Sequence, residues 1–250
     1  MQDSIFLTYL KMSYLPTFIR FLFISSLLYI FFYRTNFSKN KIFDRFNKPS
    51  KMKKEFIAST LNLLIFSLAG LAIHFVKERY GYSVIYSDIN KFGYLWFALS
   101  ILAAIIFTDT YFYWVHRLFH SVHVYKFTHK FHHQFSNPTP FASYSLDIIE
   151  GFVLAFSLFV ILLVIPMHPM AILIYTSFSI FWNSFIHLGY EVLPKWWLDH
   201  PISKYVNTPT HHYTHHQYFT DNYSLYFTFW DKAMATEHLK TRETFFSAKL

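Results

Sequence analysis

The sequence predicts an all-α fold: an integral membrane bundle of four to five spans, the last two a helical hairpin, with a cytoplasmic helical cap that carries most of the chemistry. Three observations predict it. Apolar residues make up 54% of the 250 and arrive in long blocks, charged residues amount to only 14%, and the 15 histidines crowd into a few short stretches beside those blocks. Long apolar blocks mark membrane spans rather than a soluble core, and such a composition excludes a disordered or linker-like chain.

The blocks justify the elements in turn. YLPTFIRFLFISSLLYIFFY at 14–33, FIASTLNLLIFSLAGLAIHFV at 56–76 and YLWFALSILAAIIFTDTYFYWV at 94–115 each have about the 20 residues that a helix needs to cross roughly 30 Å of hydrocarbon. The first reads as an anchor rather than a secretory signal, because its apolar part is long and Arg20 interrupts it. A fourth block, from Ile148 to about His187, is too long for one helix. Pro166 and Pro169 break it into a hairpin that goes in and comes back.

Charge sets the sides. Between the first two blocks, RTNFSKNKIFDRFNKPSKMKKE holds eight Lys or Arg against two acids, which places this loop in the cytoplasm. Counting spans from there brings His116, His120, His129, His132, His133, His187 and the run His211 to His216 to one cytoplasmic face, and leaves His74 and His168 near the other. The formal net charge of +8 does not imply nucleic acid: the basic residues flank hydrophobic blocks, where anionic lipid headgroups are the expected counter-ions. Cysteine is absent, which excludes disulfides, iron-sulfur ligation and thiolate zinc sites.

HRLFH places His116 and His120 at i, i+4, while HKFHH and HHYTHH place His129, His132, His133 and His212, His215, His216 at i, i+3, i+4. On a helix each set would point from one face toward a common centre. A lone histidine usually only lines an interface, a reading that accounts for His74, His123, His168 and His238. Clustered rings would charge and repel as pH fell, and a buried neutral ring needs a partner for its lone pair. A metal supplies that partner. Imidazole suits zinc, copper, nickel and iron alike, but some nine rings are too many for one zinc and suit two metals of higher coordination. A lipid beside them offers mainly C–H bonds, and oxidising those with dioxygen is a task for redox-active iron.

Carboxylates are expected behind such rings. Asp109, two helical turns before His116 and inside the third block, is the first candidate to orient a ring, with Asp199, Asp221 and Asp231 weaker. Asn183, one turn before His187, is a candidate weak ligand or water holder, or else a buried amide satisfied by a neighbouring helix. A metal transporter would be expected to spread ligands across the bilayer depth with acids in several spans, whereas here only Asp109 is deep.

DTYFYWVHRLFH, HKFHHQFSNPTPFAS, FIHLGYEVLP, THHYTHH and NYSLYFTFWD, in this order, resemble the fatty acid hydroxylase/sterol desaturase superfamily over roughly residues 94 to 232. The resemblance implies a membrane enzyme with two non-haem irons at the cytoplasmic side, using dioxygen as co-substrate and external electrons to hydroxylate or desaturate a lipid. Carried over by position, the metal ligands would be His116, His120, His129, His132, His133, His187, His212, His215 and His216, with His211 a further candidate. The implied organisation is residues 1–93 as anchor helices and basic loop, 94–235 as the catalytic domain and 236–250 as a tail. PTPFASYSLDIIEG is similar to the sterol C5-desaturase branch. The chain departs from the family pattern at Ser224, where Asn-Tyr-Gly is common, and in WDKAMAT, where relatives end with Gly-Thr; a relative without activity, serving as a scaffold, is the remaining alternative. The sequence has no haem-binding His-Pro-Gly-Gly segment and no cluster cysteines, so electrons are expected from a separate carrier. The expected membrane is the bacterial inner membrane or the endoplasmic reticulum.

Overall fold

The computed structural model describes residues 5–34, 41–42 and 49–248. A short helix α1 (Ile5–Tyr9) passes through a π-helical turn (Leu10–Tyr14) into α2 (Leu15–Arg34), followed by α3 (Pro49–Tyr80) and α4 (Gly93–Phe119). A four-residue helix α5 (Tyr125–Thr128) precedes the hairpin α6 (Ile148–Val164) and α7 (Pro169–Ile186); α8 (Pro209–Tyr218), α9 (Phe229–Ala233) and α10 (Lys240–Ser247) complete the chain. Among the described residues the only β pairing is two isolated bridges, Lys41 with Tyr190 and Val206 with Phe227.

Among the described residues, four helices are long and apolar enough to cross a membrane: Phe6–Arg34, Pro49–Tyr80, Gly93–Phe119 and Pro169–Ile186. The 17 residues of α6 form a shorter apolar helix. The hairpin turns where the prolines require: α6 ends before Pro166, and Pro169 is the first residue of α7, whose Met170 N–H is capped by His168 Nδ1 at 3.1 Å. The chain is thus a multi-pass membrane protein. Its apolar faces look outward. Leu95, Leu99, Leu102 and Ile106 recur at helical spacing along α4 and are exposed, while Ser100, Ala104, Thr108, Asp109 and Tyr113 of the same helix are buried.

The basic stretch that sets the expected orientation falls largely on 35–40 and 43–48, outside the described residues. Its end forms the first turns of α3, and Glu55, an acid of that stretch, is buried and accepts from Thr139 Oγ1 at 2.5 Å. The inward face of α3 is polar because it grips a loop. Ser59 Oγ donates to the Phe141 carbonyl at 2.6 Å, Asn62 Nδ2 to the Leu146 carbonyl at 2.9 Å, and Ser145 Oγ donates to the Glu55 carbonyl at 2.8 Å. These bonds seat residues 139–146 against the bundle, directly under the histidines.

Candidate metal centre

The C-terminal ends of α4 and α7 lie at the same end of the bundle. His116 occupies the last turns of α4 and His120 caps it; His187 caps α7. His129 follows α5, and His132 and His133 start a 3₁₀ turn, so HKFHH is not one helix face as its spacing suggests. The fourth stretch is α8, whose start is fixed by Thr208 Oγ1 accepting from His211 N–H at 3.0 Å and by buried Glu191 Oε2 accepting from Thr210 N–H at 3.1 Å.

These stretches deliver nine rings to two sites. His116, His120, His129, His133 and His215 form one group and His132, His187, His212 and His216 the other, the ligand nitrogens of each lying within 4.8 Å of one another. The nine are the histidines that the sequence offers as candidate ligands. Rings at i, i+4 share a site, as in 116/120, 129/133 and 212/216, while the i+3 rings His132 and His215 cross to the other.

What holds each ring decides its chemistry. His116 Nδ1 faces the Tyr223 carbonyl at 2.8 Å, His215 Nδ1 that of Asp221 at 2.6 Å, His132 Nδ1 that of Ser145 at 3.1 Å, and His187 Nδ1 that of Asn183 at 2.7 Å. His129 Nδ1 lies 2.6 Å from Glu150 Oε1. A carbonyl oxygen only accepts, so Nδ1 carries the proton and Nε2 is left as a bare lone pair. The ring Nε2 atoms converge. Nε2 of His116 and His129 are 2.9 Å apart, those of His187 and His212 are 3.0 Å apart, and those of His133 and His215 are 3.1 Å apart.

Two lone pairs at such a distance repel unless a cation lies between them. Nitrogens bound at right angles, each about 2.1 Å from one ion, are about 3 Å apart. The residues therefore fit a pair of metal ions, with five and four imidazoles and room on each for further ligands. Burial pushes His132 down to about 4 and His215 down to about 3, the latter also through the electrostatic effect of His132, so both are neutral and ready to ligate at physiological pH.

The other residues singled out in the sequence fall elsewhere. Asp109 does not face a ring: its Oδ1 accepts from the backbone N–H of Tyr226 at 2.7 Å and of Phe227 at 3.1 Å. Asp231 does the same for Tyr223 and Ser224, at 2.9 and 3.0 Å. Together the two acids fix the segment whose Tyr223 carbonyl locks His116. Asp221 acts through its carbonyl, and exposed Asp199 pairs with Arg242 at 2.7 Å. Asn183 donates from Nδ2 to the Ser179 carbonyl at 2.9 Å and supplies the carbonyl that locks His187. His211 lies outside both groups, its Nε2 3.4 Å from Asp231 Oδ2.

Glu150, among the described residues the one carboxylate hydrogen-bonded to a ring of either group, was not singled out from the sequence. Its only signal there is an acid in the first turn of an apolar block, within the PTPFASYSLDIIEG stretch. Glu150 lines a cavity together with His116, His129, His132, His187, His212 and Asn183 and with apolar side chains such as Phe66, Phe112 and Leu154. Phe66, Thr108, Tyr144, Ser157 and Ser179 are common to this cavity and to a larger one that continues between the helices.

Residues 101–236 match the family model described as fatty acid hydroxylase. A lathosterol oxidase of Mus musculus is 31% identical over 221 residues, 87% of this chain and 70% of the relative. A Delta(7)-sterol 5(6)-desaturase of Gibberella zeae is 32% identical over 182 residues, 73% of this chain and 54% of the relative, so the chain spans about half the length of that protein. Human lathosterol oxidase is 36% identical over 160 residues, 63% of this chain and 52% of the relative. No solved structure matches the chain.

Proposed function

The chain belongs to the fatty acid hydroxylase family, and from that premise we propose that it is a membrane-bound non-haem di-iron oxidoreductase that uses dioxygen and external electrons to hydroxylate or desaturate a lipid, with a sterol-like alcohol as the favoured class. One observation carries this reading: nine imidazoles, five with their tautomer set by a carbonyl or a carboxylate, bring their nitrogens together at two points beside an apolar cavity.

When bound, two irons would supply the redox chemistry that directs dioxygen at an unactivated C–H bond. The protein's own part is positioning. Glu150 and the carbonyls of Tyr223, Asp221, Ser145 and Asn183 hold the rings, Asp109 and Asp231 hold the Tyr223 segment, and the aromatic wall keeps water from a buried hydrocarbon. We place Asn183 at the cavity wall, one turn from His187, where its side chain borders the substrate.

The metal end of the bundle faces the cytoplasm in this reading, since α3 begins there with Lys51, Lys53 and Lys54 in its first turns. Exposed Lys126, Lys130 and Lys195 give a separate acidic electron carrier a basic surface to dock on. The membrane is the bacterial inner membrane or the endoplasmic reticulum. The test is to purify the protein from cells, measure iron per chain, and compare lipids of cells with and without it. Two irons per chain and a lipid gaining one oxygen or losing two hydrogens support the proposal; an active protein free of iron refutes it.

A further inference from the structure

Glu150 uses only half of its carboxylate. Its side chain is 1% exposed, Oε1 lies 2.6 Å from His129 Nδ1, and Oε2 has no hydrogen-bond partner among the described residues. An acceptor left without a partner in a dry site is strongly unfavourable, and a carboxylate can take bonds at both oxygens. Among the described residues, no Lys or Arg lines the cavity that Glu150 borders, so no side-chain cation is at hand to neutralise it.

The missing partner is a donor carried by the cavity's occupant. With Oε1 taking the His129 N–H and Glu150 in its ionised form, a ketone or ester, which offers only acceptors, would set lone pairs against Oε2, and a carboxylate would bring a second negative charge. A hydroxyl meets the need. The rest of the occupant is apolar, because the wall beyond Glu150 is built from Phe66, Phe112, Leu146, Leu154 and Ile186 and leads into the larger cavity between the helices.

We propose that Glu150 Oε2 accepts a hydrogen bond from the hydroxyl of a lipid alcohol, which enters hydroxyl end first and presents the carbons near that hydroxyl to the two histidine groups. The apolar body then lies in the larger cavity. Glu150 is thereby a specificity residue as well as the orienter of His129. This rests on the lipid-oxidation reading only in that a lipid occupies this cavity.

The test uses the full chain, iron-loaded in lipid nanodiscs, and measures equilibrium binding of two pairs of probes: cholestanol with cholestanone, and hexadecanol with hexadecanal. The wild type is expected to bind at least one alcohol about tenfold or more tightly than its carbonyl partner. In Glu150→Gln the amide oxygen still accepts from His129 while its NH₂ faces the cavity and donates to a carbonyl, so the preference shrinks to parity or inverts. Binding is compared per iron-loaded chain, with iron content measured on the same samples, because an amide in place of the carboxylate behind His129 can weaken iron retention. A wild type that binds carbonyl and alcohol equally overturns the proposal without any variant. An alcohol preference of the same size in Glu150→Gln overturns it too, with Oε2 then satisfied by water, and leaves the lipid reading standing. Failure of all four probes to bind the wild type sinks the lipid reading itself, and this assignment with it.

Discussion

Asp109→Ala tests how the second layer of the site works. Asp109 Oδ1 takes two buried backbone N–H groups, those of Tyr226 and Phe227. Removing the acceptor strands both, at about 1–3 kcal/mol each, or roughly 2–6 kcal/mol in all, a large share of the stability of an ordinary domain. The loss falls on the segment whose Tyr223 carbonyl fixes the His116 tautomer, so iron retention should fall along with thermal stability. Asp109→Asn is the decisive companion, since the amide oxygen still accepts both N–H groups. A carboxylate that oriented a ring would be more sensitive to that change, because an amide can also turn its NH₂ toward the ring and favour the wrong tautomer. Purified in detergent, the alanine variant is expected to melt well below the wild type with reduced iron, and the asparagine variant to stay close to wild type in both. An asparagine variant as damaged as the alanine one, or an alanine variant indistinguishable from wild type, would refute the backbone-anchor account.

Glu150→Ala removes the acceptor behind His129 and should lower iron affinity about 10- to 100-fold, read by competition with a chelator; unchanged affinity contradicts the orienting role. Ala235 sits at φ +52°, in the WDKAMAT stretch that departs from its family's Gly-Thr, and Ala235→Gly should stabilise the protein by about 1 kcal/mol in a melt, whereas a loss would mean that the left-handed backbone is not strained. In the metal-stripped protein, His132 and His215 have folded values of about 4 and about 3 against an ordinary 6.5. The unfolded chain therefore binds protons first, so stability is full above about pH 6.5 and declines as pH falls toward 4. A melting temperature flat across that window contradicts the buried neutral rings.

The bundle was legible because a bilayer demands long apolar runs, and Pro166 and Pro169 marked the one place where a run had to turn. Helix ends were less so. The second span, read as 56–76, extends over Pro49–Tyr80, since Lys51 to Lys54 and Lys77 to Arg79 continue the helix into the headgroup zone where hydropathy has no signal. Asp109 shows where spacing misleads. Seven residues do put it on the face of His116, but seven residues are also about 10.5 Å of rise, too far for a carboxylate to touch that ring. Glu150 was invisible for the opposite reason, as its partner His129 is 21 residues away in a stretch that is not helical.

The three sequence boxes are not the two sites. HKFHH sends His129 and His133 to one group and His132 to the other, and α8 sends His215 to the first and His212 and His216 to the second. The adjacent residues His132 and His133 open a 3₁₀ turn, where successive side chains diverge by about a third of a circle, so the same turn that serves one site must serve its neighbour. Each site also draws on an element that the other does not: α4 for the five-ring group and the end of α7 for the four-ring group. The bundle therefore has to bring α4, α7 and α8 together before either site is complete. That requirement ties the metal sites to the membrane helices themselves: the lone pairs converge only in the folded bundle, so bound metal would stabilise the packing of spans that lipid alone does not force together.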